Sequence, residues 1–212
     1  MYEEGMYKEI KTREEAVQFQ KEKYGEYCEK YKERKAIMDD SGYEYKVSAL
    51  SYAIEGYIGN SFLSINQYLR SSNKNEKTTY CYYLKAQIDR INEIIYWAPP
   101  IDEDIIVYRG VDENGIENIM KMVKVYGSYF ERAFLSTSLR LDTVLEEIHT
   151  GKYKYILKIY VPKGTPALGT DRIEDRMEEE ILFPVERTLR YIRKEMNWKI
   201  KKKIYVFELQ NI

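Results

Sequence analysis

The chain has a single histidine, His149, and two cysteines, Cys28 and Cys81, in 212 residues. Two cysteines make no disulfide framework, and with one histidine they are too few for a Cys/His metal site. They read as two thiols. Ser-His-Asp and Cys-His hydrolase chemistry would both depend on His149. That residue stands in Glu146-Glu147-Ile148-His149-Thr150-Gly151, which reads as a helix end. An imidazole there interacts favourably with the helix dipole, so a structural role is preferred. No glycine-rich loop is present, which argues against a P-loop or Rossmann nucleotide site. No apolar run approaches the roughly 20 residues that span a bilayer. The first residues, Met1-Tyr2-Glu3-Glu4-Gly5, are acidic and lack an apolar h-region, so no secretory signal is expected. A net charge of −1 gives no general attraction to nucleic acid or anionic membrane. No repeat, low-complexity tract or linker divides the chain, and one domain over residues 1–212 is expected.

What is present is ample apolar material, 44% of residues, beside 33% charged ones. Tyrosine is abundant, 22 in all, and the excess has no functional reading. Residues 1–98 read as mainly helical. Thr12-Arg13-Glu14-Glu15 has the capping-box pattern, with Thr12 as N-cap. Apolar residues recur at helical spacing to about Ala36, again as two bent helices over Lys46–Arg70, and from Tyr80 to Trp97, where Pro99-Pro100 follows. The pattern then changes. Over residues 99–212, strands are expected at Asp104–Arg109, Tyr129–Ser138, Tyr153–Val161, Glu179–Val185 and Ile204–Leu209. Short helices are expected at Asp112–Val125 and Asp142–His149, with Asp142 as N-cap. Helices first and strands after argue an α+β fold.

Three segments carry chemistry. Glu178-Glu179-Glu180 precedes the apolar Ile181-Leu182-Phe183. If the backbone is extended, Glu178 and Glu180 share one face. Like charges that close raise at least one pKa and call for a cation or substrate. Upstream, Arg109 ends a strand and is followed by Gly110. Its fork of donors suits phosphate oxygens in a way lysine cannot match, and the glycine lets the backbone turn or a ligand approach. Between them lies Ser136-Thr137-Ser138. Alternation puts Ser136 and Ser138 on one face, where a hydroxyl can fix a carboxylate rotamer.

Taken in order, the aromatic-Arg, the Ser-Thr-Ser and the Glu-x-Glu resemble the mono-ADP-ribosyltransferases of the Arg/Ser/Glu class. The resemblance is nearest to the bacterial exoenzyme branch, which includes the enzymatic components of binary actin-modifying toxins such as iota toxin. Ile156–Gly164 is similar to the strand and Pro-x-Gly turn before the substrate loop of that family. Ile65–Arg70 is similar to its dinucleotide-contacting helix.

The resemblance implies a helical segment packed on a two-sheet sandwich around an NAD cleft. It implies NAD as substrate, with no metal. Arg109 and Gly110 would meet the diphosphate, and Ser136 would orient Glu180 while Thr137 lines the nicotinamide pocket. Tyr57, Asn66 and Arg70 would reach the dinucleotide. Glu180 would be the catalytic carboxylate. Glu178 would select arginine as acceptor, since a protonated guanidinium needs a carboxylate to orient it and take its proton. The expected product is ADP-ribose on a target protein's arginine, with slow NAD hydrolysis as a side reaction. The expected setting is the cytosol of a target cell, for a secreted toxin fragment, an injected effector or an intracellular enzyme, with room for a separate delivery component. Two departures stand out. The loop Gly169–Met177 has no aromatic residue, which puts actin as target in doubt, and Ala133 stands where relatives often have glycine. The rival readings are a catalytically silent binding module on the same fold and a retaining glycoside-type hydrolase built on Glu178 and Glu180.

Overall fold

The computed structural model describes residues 6–39, 53–71, 79–171 and 179–210. Helix α1 spans Arg13–Asp39. The expected capping box forms: the Glu15 N–H donates to the Thr12 hydroxyl at 3.2 Å, and the Thr12 N–H donates back to the Glu15 carboxylate at 3.2 Å. The second segment is helical from residue 53, where the described residues resume, widens into a π turn over Tyr57–Ser61, and continues as α2, Phe62–Arg70. The expected bend is that π turn; residues 46–52 lie outside the described residues. Helix α3, Thr79–Trp97, stops just before the double proline.

The strands are β1 (Ile105–Val111), β2 (Ser128–Glu131), β3 (Leu135–Ser138), β4 (Tyr155–Val161), β5 (Leu168–Gly169), β6 (Glu180–Phe183), β7 (Arg187–Asn197) and β8 (Lys202–Leu209). Helix α4 (Glu113–Tyr126) joins β1 to β2, and α5 (Leu141–His149) joins β3 to β4. Asp112 caps α4 by accepting from the Gly115 N–H at 2.7 Å. The N-cap of α5 is Arg140 rather than Asp142, which falls in the first turn. His149 closes α5, as its sequence context indicates.

The ladder runs β2-β7-β8-β4-β1-β3-β6-β5. The extended run expected at Tyr129–Ser138 breaks into β2 and β3, five places apart in that order. In a flat sheet this would separate them by about 24 Å. Four residues of chain reach at most about 14 Å. The ladder must therefore fold over on itself into two layers; β1 and β3 are registered through the pair Tyr108–Ser138. Ile105, Val107 and Val111 on one face of β1 join the main core with Phe134, Ile181, Phe183 and the helices. Ile106 and Tyr108 on the other face pack under Val144 and Ile148 of α5. Arg109 shares the main-core face, so its side chain enters between the layers.

Strand β7 and the two-residue β5 were not expected from sequence. Beyond Leu189, β7 is largely exposed or half-exposed, so it lacks the apolar alternation that marks a half-buried strand.

Candidate active site

Glu180 opens β6, directly opposite Ser138 on β3, while Ser136 is paired with Leu182 two residues along. Alternation puts Ser136, Ser138, Glu180 and Leu182 on one face. The Ser136 hydroxyl donates to one Glu180 carboxylate oxygen. The Thr170 hydroxyl donates to the other at 2.6 Å. The Glu180 backbone carbonyl accepts from the Thr170 N–H at 3.2 Å and from the Gln20 side-chain amide of α1 at 3.3 Å. The carboxylate is thus oriented by Ser136 of β3 on one side and by Thr170, directly after β5, on the other. Thr137 corrects one expectation. It faces the opposite side, is buried, and its hydroxyl donates to the Ile181 carbonyl at 2.9 Å. That hydroxyl is occupied by the sheet rather than directed at a nicotinamide pocket.

Glu179 corrects another. Its φ is +53°, a left-handed conformation that costs a non-glycine residue about 1 kcal/mol or more. The shared face of Glu178 and Glu180 assumed extended backbone through Glu179, and that premise does not hold. Glu178 itself lies outside the described residues. The Glu179 carboxylate is buried, paired with Arg140 Nη1 at 3.0 Å and accepting from the Thr143 hydroxyl. Its carbonyl accepts from the Leu139 N–H at 2.9 Å. Asp171 then takes both backbone donors: Oδ2 accepts from the Glu179 N–H at 2.7 Å and Oδ1 from the Glu180 N–H at 3.2 Å. Burial, helped by the Glu180 and Glu179 charges and opposed by those two N–H groups, raises the Asp171 carboxyl to about 6.

The second half of the site is cationic. Arg70, from the end of α2, makes a two-pronged contact to Glu131: Nε donates to Oε1 at 3.1 Å and Nη2 to Oε2 at 2.9 Å. Arg109 Nη1 lies 3.6 Å from Glu131 Oε2. Glu131 is 2% exposed and also accepts from the Ala133 N–H at 3.0 Å. Burial favours its neutral form, yet the Arg109 and Arg70 guanidiniums and the Ala133 N–H together hold it below the ordinary carboxylate value. One carboxylate balances two guanidiniums, leaving a net positive charge. Arg109 Nη1 is buried with no hydrogen-bond acceptor. Such a donor suits an incoming anion.

Tyr57 stands between the two halves. Its buried ring packs edge-on against Phe134 at 5.0 Å. Asn66 Nδ2 donates to its hydroxyl at 3.1 Å. Nine residues apart in a uniform α-helix, these side chains would point to opposite sides; the wider π turn takes up about one residue of that phase. Burial pushes the Tyr57 phenol up, the Asn66 bond pulls it down, and the charges of Glu180, Arg109 and Arg70 all act on it. Gly110 does not turn the chain; it continues β1 to Val111. A Cβ there would lie 2.3 Å from the Tyr153 ring, so its missing side chain makes room for that ring rather than for a ligand.

The structure therefore brings Tyr57, Asn66, Arg70, Arg109, Ser136 and Glu180 into one neighbourhood. Sequence reasoning missed Glu131, Thr170, Asp171, Arg140 and Gln20. Among the described residues, no group of three His, Cys, Asp or Glu side chains is placed to hold a metal ion, and no helix is long and apolar enough to cross a membrane.

The model of the ADP-ribosyltransferase exoenzyme family matches residues 16–210. The chain belongs to that family. No curated relative matches it by sequence. Among solved structures, the C3 exoenzyme of Clostridium limosum superposes with a TM-score of 0.72 at 19% identity, covering 97% of this chain and 98% of that one. C3stau2 from S. aureus, solved with NAD, superposes at 0.69 and 19% identity over 98% of this chain and all of its own. The ADP-ribosylating toxin BECa of a C. perfringens binary enterotoxin, solved with NADH, gives 0.69 at 21% identity over 96% of this chain and 50% of that chain. These identities speak for the fold. Membership of the exoenzyme family makes NAD the substrate and ADP-ribose transfer the reaction.

Proposed function

We propose that this exoenzyme transfers ADP-ribose from NAD to an arginine side chain of a target protein. The observation that carries the reading is the Glu180 carboxylate, fixed by Ser136 and Thr170, in one site with the guanidiniums of Arg70 and Arg109. NAD supplies a cationic nicotinamide leaving group and an anionic diphosphate. Arg109 and Arg70 bind the diphosphate. Glu180 then lies beside the nicotinamide ribose, where a fixed anion stabilises the positive charge that develops on the sugar. The bond from ribose C1′ to the nicotinamide nitrogen breaks, and its electron pair leaves with nicotinamide. A guanidinium nitrogen of the acceptor forms the new bond to C1′ and loses one proton. Glu178 is the residue we assign to orient that guanidinium and accept the proton. Its support is the Glu-x-Glu sequence. Water in place of the acceptor gives hydrolysis of NAD.

A protein target fits the family, and the binary-toxin relative suggests a separate delivery component that brings the enzyme into a target cell's cytosol. The test is to measure two rates on one preparation: nicotinamide release in water, and transfer to agmatine as an arginine mimic. Glu178→Gln is expected to retain much of the first and lose most of the second. If both fall by the same factor, arginine selection by Glu178 is wrong.

A further inference from the structure

The start of β6 is built in an unusual way. Thr170 and Asp171 follow directly on β5, and Glu179 and Glu180 return antiparallel to it. Of these four residues, Asp171 alone grips two consecutive backbone donors, the N–H groups of Glu179 and Glu180, with its two oxygens. Between those donors the chain makes its left-handed step at Glu179. Two successive N–H groups aimed at one carboxylate form an anion-binding nest. Here the anion is supplied from within the chain. The step turns the Glu179 side chain toward α5, where Arg140 and Thr143 hold it, and turns Glu180 onto Ser136 and Thr170. Neither orientation survives if the step relaxes to extended backbone, because a one-residue change of phase sends a strand's side chains to the opposite face.

We propose that Asp171 is the positioning residue of the active site, a carboxylate clasp that holds the left-handed step at Glu179 and so aims Glu180 at the reacting sugar. This rests on the reading of Glu180 as the catalytic carboxylate. Among the described residues, the charged groups facing Asp171 are the Glu180 and Glu179 carboxylates; Arg140, from the start of α5, reaches Glu179. Burial first, and then the Glu180 and Glu179 charges, make Asp171 harder to ionise than an exposed aspartate, against the pull of the two N–H groups it accepts from. Its carboxyl at about 6 means that protonation removes one acceptor from the nest in a range where exposed carboxylates stay charged.

Two experiments test the clasp. The first follows the backbone amides of Glu179 and Glu180 by NMR in the wild-type protein between pH 4 and 8. Both are expected to shift together with a midpoint near 6, well above the exposed carboxylates. No common titration in that window overturns the proposal. This measurement reads the clasp directly, whether or not nicotinamide release is detected. The second compares Asp171→Asn with wild type in nicotinamide release. Asn offers one acceptor and a clashing donor. The variant's kcat should fall about tenfold to a hundredfold, the scale of a misaimed reacting group, with KM for NAD changed less than threefold. The part of the wild-type acid limb near pH 6 should disappear in the variant. A wild-type kcat and an unchanged pH profile in Asp171→Asn overturn the proposal. A loss in KM alone also overturns it, by placing Asp171 on the binding side rather than behind Glu180.

Discussion

The two halves of the site are built from the same materials with opposite sign. At Glu180, three carboxylates, those of Asp171, Glu179 and Glu180, crowd one strand end, with Arg140 pairing one of them. At Glu131, one buried carboxylate serves two guanidiniums. Among the described residues, the first half is rich in negative charge and the second in positive charge. An NAD molecule carries the complementary pattern, with positive charge growing at its ribose and negative charge fixed on its diphosphate. The contrast also separates two kinds of work. Surplus charge where charge develops acts on the barrier, whereas surplus charge where charge is constant acts on binding.

The largest expected effect is at the anionic half. Glu180→Gln keeps the shape and hydrogen-bonding capacity but removes the charge. Its kcat for nicotinamide release should fall by roughly a hundredfold or more, with little change in NAD affinity. Full activity in that variant breaks the comparison, because the surplus charge would then have no catalytic role.

Next comes Glu131→Gln. The buried carboxylate holds two guanidiniums, and breaking such a cluster costs on the order of 3 kcal/mol. Because Glu131 sits below its ordinary value of 4.5, its contribution to stability is present above the unfolded value and is lost as pH falls through the folded value. Denaturant titrations at pH 7 and pH 3 should therefore differ more for wild type than for the variant. NAD affinity should fall as well, since Arg70 and Arg109 lose the group that aims them. An equal pH dependence of stability in the two proteins removes Glu131 from the comparison.

Arg109→Lys tests the fork against the charge. Lysine keeps the positive charge and loses the paired donors. About tenfold weaker NAD binding is expected by calorimetry, with kcat at saturating NAD less affected. A kcat loss as large as that of Glu180→Gln would erase the division of labour between the halves.

The two halves were unequally legible in the sequence. Arg109, Ser136 and Glu180 stand in short motifs whose chemistry is local, and the structure places them together. Their supports come from elsewhere in the chain. Glu131 lies 61 residues from Arg70, in a stretch whose only signal is a lone acid after two aromatics. Thr170 and Asp171 sit in a loop that reads as charged surface. Glu179 was assigned a place by alternation, which holds only for extended backbone, and a positive φ at a glutamate leaves no trace in composition. Strand β7 was missed for the converse reason: its pairing with β2 and β8 is made by backbone, and its side chains are largely polar and half-exposed. The strands recognised from sequence are those that bury a face. Tyr57 and Asn66 meet only because the π turn shifts the helix phase between them, and a π turn has no signature in the apolar spacing.

The smallest functional effect is expected one residue beyond Arg109, and it bounds the cationic half. Gly110 stands beside the guanidinium in sequence, but alternation turns it to the other face of β1, against Tyr153. Gly110→Ala would bring a methyl group within 2.3 Å of that ring, closer than atoms can approach, so the ring or the strand must shift. Overpacking of this kind costs about 1–3 kcal/mol. The loss should appear in thermal unfolding, while NAD affinity falls much less than in Arg109→Lys. Shortening Tyr153 to alanine should relieve the clash, so the double variant Gly110→Ala/Tyr153→Ala should lose less stability than the sum of the single changes. If NAD affinity instead collapses in Gly110→Ala and the double variant restores nothing, the glycine serves the ligand's approach after all. The cationic half would then extend through the backbone of β1 rather than end at the Arg109 side chain.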